Sequence, residues 1–324
     1  MADLLSIFAS AVGPIVAIAG VGYVLATVKE IDPEPLNTAV VYVLAPALVF
    51  HSLATTNLEA ATLVRVTVGI AVFTAVMWLI AELAGRAVGE REPALSGLVL
   101  VAIFCNSGNL GIPVSDFAFG EVGRQTAVLF LSVQSVLMYT VGVYVASRSS
   151  GSAGLEGVRR VFYIPLVYAV VAALGARALA LVPPADTAAM ETLQLVGDAS
   201  IPLMLLILGI QLARSDTAAV SRAWPAMALK LGVAPVVGLG VVLGLDTVLG
   251  AGFQNPTVAR VFVLETAMPA AVTPLILVIE FAGNTRSDGV LVSEYVSTCV
   301  FLTTVLAIPA LTGLIALLQS GIVI

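Results

Sequence analysis

The stretch Phe104-Cys105-Asn106-Ser107-Gly108-Asn109-Leu110-Gly111-Ile112-Pro113 sets two amides, a hydroxyl and two glycines before a proline, inside an otherwise apolar run from 94 to 119. An ordinary lipid-facing helix does not read this way. Pro113 removes a backbone donor and crowds the preceding turn, while Gly108 and Gly111 lower the cost of unwinding. Unpaired carbonyls at membrane depth persist only where protein covers them or a watery cavity reaches them. The decapeptide therefore predicts a helix broken at Pro113, with the break either covered by protein or facing a watery cavity.

The rest of the chain supplies the bilayer this reading requires. Of 324 residues, 60% are hydrophobic and 10% charged, against roughly 25% charged in soluble domains. A membrane helix needs roughly 20 apolar residues, and windows between charged or Pro/Gly-rich breaks give ten spans. These lie near 5–27, 36–54, 64–84, 94–119, 125–146, 161–182, 194–213, 223–244, 257–281 and 294–318. The first carries Asp3 in place of a basic leader and is too long for a signal peptide, so it reads as a retained span. No separate soluble domain is expected. Cys105 and Cys299 both fall inside spans and read as packing residues. A net charge of −6 leaves no basic face for nucleic acid.

Loops after odd-numbered spans hold nine Lys and Arg and the opposite side four, which puts both termini outside the cell membrane. The polar segment 147–160 is then a cytoplasmic linker between halves 1–146 and 161–324. The halves share a register: Pro46 and Pro202 are 156 residues apart, as are Pro113 and Pro269. Five spans per half is an odd number, so the second copy enters from the opposite face as an inverted repeat. The fold class expected is an all-α integral membrane protein of ten transmembrane helices, in which broken helices four and nine cross.

If those breaks cross, the half-helices after Pro113 and Pro269 point their positive ends at one place, which suits an anion. Asn106, Ser107, Gly108, Asn109, Gly111, Pro113, Met268 and Pro269 form the expected substrate site. Carbonyls ending the preceding half-helices, with Asn106, Asn109, Ser132, Glu265 and Thr266, offer oxygens to a coupling cation. Glu265 stands at the register position of Asn109, and this pair is the expected sodium site. Ser and Asn also glue ordinary bundles, but a carboxylate within a span is functional by default. Three further ionisable residues are candidates. Lys230 and Asp198 either pair with each other, meet substrate or snorkel to an interface; Asp116 either lines the outward path or caps a half-helix. His51, the single histidine, is adequately explained by an interfacial position.

These segments resemble the auxin efflux carrier family, within a wider group holding the bile acid sodium symporters. The resemblance runs through Asn106-Ser107-Gly108-Asn109-Leu110-Gly111-Ile112-Pro113, Ile201-Pro202-Leu203-Met204-Leu205-Leu206 with Gly209, and Glu265-Thr266-Ala267-Met268-Pro269-Ala270. It implies a bile acid symporter or NhaA-like fold, with spans one, two, six and seven as scaffold and the others as a moving unit. It also implies small carboxylate substrates, elevator-like alternating access and a homodimer through the scaffold. The plant carriers resemble Asn-Pro-Asn at both crossings; here Asn109 and Glu265 stand apart from their prolines, which argues against auxin itself. Glu265 instead looks similar to the acidic residue with which the symporters bind sodium.

Other classes fit less well. A serine protease would need Ser107 to meet His51, zinc chemistry would want an HExxH pattern that the sequence lacks, and no aspartate pair has a protease context. No cofactor is called for beyond sodium. Broken helices also line channels, and a non-transporting sensor would need an output domain. The sequence reads best as a secondary transporter of a small organic anion, coupled to sodium or protons.

Overall fold

The computed structural model describes residues 8–29, 31–56, 59–148, 165–215, 219–249, 253–282, 285–287 and 289–324. Most of the expected linker, from 149 onward, lies outside the described residues. The apolar runs fold as helices. Six stretches are long and apolar enough to cross a membrane: Glu34–Ala54, Ala60–Ala87, Ser107–Ser147, Ala188–Ala213, Trp224–Leu245 and Val292–Gln319. Gly13–Lys29, Ala94–Ile103, Pro165–Ala178 and Thr273–Ala282 are shorter apolar helices. Large apolar side chains such as Val64, Leu79, Leu83, Val236 and Ile276 are exposed, which in water would be a liability and in lipid is the rule. The chain is an all-helical, multi-pass membrane protein.

In chain order the helices are α1 (Gly13–Lys29), α2 (Glu34–Ala39), α3 (Ala45–Ala54), α4 (Ala60–Ala87), α5 (Ala94–Ile103), α6 (Ile112–Leu137), α7 (Val143–Ser147) and α8 (Pro165–Ala178). They continue as α9 (Ala188–Asp198), α10 (Ser200–Ala213), α11 (Trp224–Met227), α12 (Ala234–Leu249), α13 (Pro256–Thr266), α14 (Thr273–Ala282) and α15 (Val292–Gln319). Two-residue strands β1 (Arg286–Ser287) and β2 (Val290–Leu291) form a small antiparallel turn ahead of α15. Wide π-helical turns join several pieces, among them Val40–Leu44 before α3 and Ser107–Gly111 before α6. The stretch Ser107–Ser147 has 41 residues, about twice what a bilayer core needs. It turns at Gly120, where φ is 64° and ψ −152°, a backbone that glycine adopts without strain. Beyond that turn Gly123 packs on the backbone of Ser115.

The helices pack in two groups. In the first, α1 lies along α10, and α3 meets α8 and α9. In the second, α5 packs on α4, α14 and α15, while α6 meets α4 and α13, and α12 packs on α4 and α13. Every residue of α5 is buried, which is why that helix carries no lipid-facing stripe. The groups touch where α3 and α10 meet α6 and the Ser107–Gly111 turn.

The tightest contact of the first group is backbone on backbone. A side chain at Gly209 of α10 would strike the carbonyl of Ala19, and one at Gly22 of α1 would strike that of Leu206. Small residues allow such close crossing in membranes, where van der Waals contact replaces the hydrophobic drive.

The break in span four does not fall at Pro113. It falls at Phe104–Asn106, and helix resumes at Ser107. The cause is the π-helical turn: the amide of Gly111 bonds the carbonyl of Asn106 at 2.9 Å and that of Ile112 bonds Ser107. Pro113 thus enters in the first turn of α6, where a missing N–H is tolerated.

Gly209→Ala should cost about 1–3 kcal/mol by overpacking, read as a lower unfolding temperature in detergent. Gly240→Ala on α12, with open space around it, should be neutral or slightly stabilising.

Candidate functional site

Span nine breaks between α13 and α14, across residues 267–272. The two broken segments lie side by side, antiparallel, with Cys105 opposite Ala270. The amide of Asn106 donates to the carbonyl of Pro269 at 2.8 Å, and that of Ala271 to Phe104 at 3.0 Å. Gln134, from the far arm of α6, spans Cys105 completely: its Oε1 accepts from the Cys105 amide at 2.9 Å and its Nε2 donates to the Cys105 carbonyl at 2.8 Å. Thr303 of α15 accepts from the Ala270 amide at 3.2 Å. Backbone freed by the breaks is paired again within protein, as hydrocarbon demands.

Both downstream half-helices start beside one cavity of about 190 Å³, smaller than the roughly 300–1,000 Å³ of drug-sized pockets. Asn106, Gly108 and Asn109 line it from one side, and Ala271, Val272 and Thr273 from the other. Asn106 Oδ1 accepts from the amide of Asn109 at 3.2 Å and caps the turn. Its Nδ2 is buried with no partner. Gln211 of α10 also lines the cavity, and its Oε1 is likewise unpartnered. Among the described residues no charged side chain lines the cavity.

The opposite face of the same half-helix does something else. Ser107, Gly111 and Ser115 recur every four residues, and all three meet Glu265, which is fully buried. Ser115 Oγ donates to Glu265 Oε1 at 2.8 Å. Ser107 Oγ lies beside the carboxylate without a completed hydrogen bond, and Glu265 Oε2 is unpartnered. At Gly111 any side chain would run into the carboxyl group.

The chain matches the membrane transport protein family over residues 7–315. It belongs to that family. A protein of Methanothermobacter thermautotrophicus described as an "uncharacterized transporter" is 30% identical over 290 residues, which cover 89% of this chain and 90% of the relative. A Rhizobium meliloti protein described as a "putative malonate transporter" is 24% identical over 312 residues, covering 93% of this chain and 92% of the relative. The family resemblance read from spans four and nine is thereby borne out, and the family consists of transporters rather than enzymes.

Within this membrane transport protein the structure divides the expected site residues. Asn106, Gly108 and Asn109 reach the cavity, whereas Ser107, Gly111, Pro113, Met268 and Pro269 are buried away from it. Asn109 lines the cavity, and the polar neighbours of Glu265 are Ser107 and Ser115. The bridge at the break pairs residues 165 apart, Cys105 and Ala270. Ser132 bonds the Val128 carbonyl and Thr266 that of Val263, each at 2.7 Å on its own helix.

The ionisable candidates are also reassigned. Asp198 does not pair with Lys230; its partner is Arg124 at 2.6 Å, which also holds Glu121 and approaches Asp116 at 3.9 Å. Lys230 does not snorkel. It is fully buried, 2.9 Å from Cys105 Sγ and 3.4 Å from the carbonyl of Ala102 at the end of α5. Cys105 is therefore part of the crossing rather than inert packing. Gln134, Gln211 and Ser115 went unnoticed in the sequence, although an amide inside an apolar span was a signal for the first two.

Gln134→Leu leaves the buried Cys105 amide unpaired, costing about 1–3 kcal/mol, while the Cys105 carbonyl keeps the Ser107 amide at 2.8 Å. Unfolding should move to markedly lower temperature. Gln134→Glu, which still accepts from the Cys105 amide, should lose less.

Proposed function

We propose that the chain is a secondary transporter of small organic anions by alternating access. The observation that carries this reading is the meeting of two half-helix starts, at Ser107 and Thr273, on a cavity with an unpartnered Asn106 Nδ2. Helix dipoles there, with the free Asn106 Nδ2 as donor, favour a carboxylate without any basic side chain. The Rhizobium relative's description as a malonate transporter agrees with such a substrate.

On this reading the architecture is ten spans in two inverted repeats, 1–146 and 161–324, joined by a cytoplasmic linker at 147–160, with both termini outside. The group containing α1, α3, α8, α9 and α10 is the scaffold and would carry a homodimer contact; the group around α5, α6 and α13 moves past it. Glu265 with Ser107 and Ser115 is the coupling site. Its unpartnered oxygens, Glu265 Oε2 and Ser107 Oγ, fit either a sodium ion, which takes oxygen ligands, or a proton.

In proteoliposomes, uptake of a labelled carboxylate should saturate and show counterflow; single-channel currents would mean a channel instead. Glu265→Gln should remove the response of uptake to sodium or to a pH gradient while the purified protein keeps its elution profile. Transport by that variant with an unchanged ion response would defeat the coupling role.

A further inference from the structure

We infer that the cavity takes its substrate with a single negative charge and a hydrogen-bond donor at the other end, so that a dicarboxylate enters as its hydrogen anion and a hydroxy-monocarboxylate enters equally well. This rests on the reading of the cavity as the substrate site and narrows the class it accepts.

The charge follows from what faces the cavity. No Lys, Arg, Asp, Glu or His lines it among the described residues, so positive potential comes from the half-helices that begin at Ser107 and Thr273. A helix start carries roughly half an elementary charge, and two of them offset about one. A second negative charge in an apolar surround would stand uncompensated, which is costly enough that the group binds a proton instead. Lys230 and Glu265, buried at the crossing, are of opposite formal sign and neither lines the cavity, although Lys230 touches Cys105, which does.

The donor follows from the two orphaned amide atoms. Asn106 is 5% exposed, its Oδ1 is committed to the amide of Asn109, and its Nδ2 has no acceptor. Gln211 Oε1, on α10 across the cavity, has no donor. A ligand that satisfies both presents a carboxylate to Asn106 and the half-helix starts, and a hydroxyl or protonated carboxyl to Gln211. Leaving a buried polar atom unmet discriminates against ligands without the matching group. Gln211 also lines a second cavity toward Arg214 and Ser215, with Val272 shared between the two, so it stands where a substrate would leave the first.

The test is a thermal-shift titration of the purified full chain with three probes: malonate, 3-hydroxypropionate and propionate, each across the pH range of malonate's second ionisation. Apparent affinity for malonate should fall by roughly tenfold per pH unit above that ionisation, following the hydrogen anion. The titratable side chains facing the cavity are Cys105, which touches Lys230, and Tyr139; thiols and phenols ordinarily ionise above pH 8. Above malonate's second ionisation propionate carries one charge throughout, so its series there reports any pH response of the protein itself, including that of Glu265. At every pH 3-hydroxypropionate should bind about tenfold tighter than propionate, and Gln211→Met should bring that ratio near one. Malonate affinity that stays flat or rises with pH, while propionate binds normally, overturns the single charge and leaves the anion carrier standing. An unchanged ratio in Gln211→Met overturns the donor's partner. If none of the three probes binds at any pH, the cavity is not a carboxylate site and both readings fall.

Discussion

The pair of hydrogen bonds between the broken segments, Asn106 to Pro269 and Phe104 to Ala271, is the constraint from which the rest of the centre follows. A membrane helix cannot stop halfway unless its backbone finds partners, because unsatisfied groups in hydrocarbon cost several kcal/mol each. Two helices stopping at the same depth can partner each other, and that is what these segments do over a single antiparallel bridge. One bridge is not enough for four chain ends. Gln134 and Thr303 complete the pairing from α6 and α15, and this explains hydrogen-bonding side chains in otherwise apolar helices. With the breaks fixed, the starts of the next half-helices have only one place to point, and the cavity lies there.

The same geometry sorts the residues of Phe104–Pro113 into two functions. Helical spacing sends Ser107, Gly111 and Ser115 to one face, where Gly111 leaves room for the carboxyl group of Glu265. Asn106, Gly108 and Asn109 go to the other face and the cavity. An anion and a cation can then be held on opposite sides of a single turn of helix, close enough to sense each other and separately lined. On the proposed reading, that turn is where coupling is transmitted, and it is also a place where α10 meets the second helix group.

Much of this was legible in the sequence. Hydropathy marked the helices because the bilayer imposes one length and one composition on each. The breaks in spans four and nine were marked by prolines and glycines among polar residues. Their exact place was not, because a proline signals a missing donor but not where the helix pays for it: the π-helical turn moved the interruption upstream of Pro113. The register of 156 residues aligns the two halves along the sequence, and the bridge between Cys105 and Ala270 is a contact through space that such an offset does not address. Pairings through space fared worst. Asp198 and Lys230 were both found as buried or half-buried charges, yet Arg124 and Cys105 as their partners depend on the turn at Gly120 and on helix packing. No spacing rule along the chain reports those.

The contact between the two groups of helices differs in kind from the contacts within the first group. Within the first group, Gly22 and Gly209 bring α1 and α10 into backbone contact, and such crossings resist sliding because no side chain can reorient to relieve a shift. Between the groups, the polar links made just past the Gly120 turn are Arg124 to Asp198 and Thr56 to Gln125, the latter at 2.8 Å. Asp198 is 43% exposed, and ion pairs open to solvent contribute about 0–1 kcal/mol. A link of that size can break and re-form without a large barrier, whereas a buried pair left half-made would not. The backbone crossing thus lies inside the first group, and the links between the groups are one half-exposed ion pair and one buried hydrogen bond, Thr56 to Gln125; on the proposed reading the second is the bond that must find new partners whenever the two groups move.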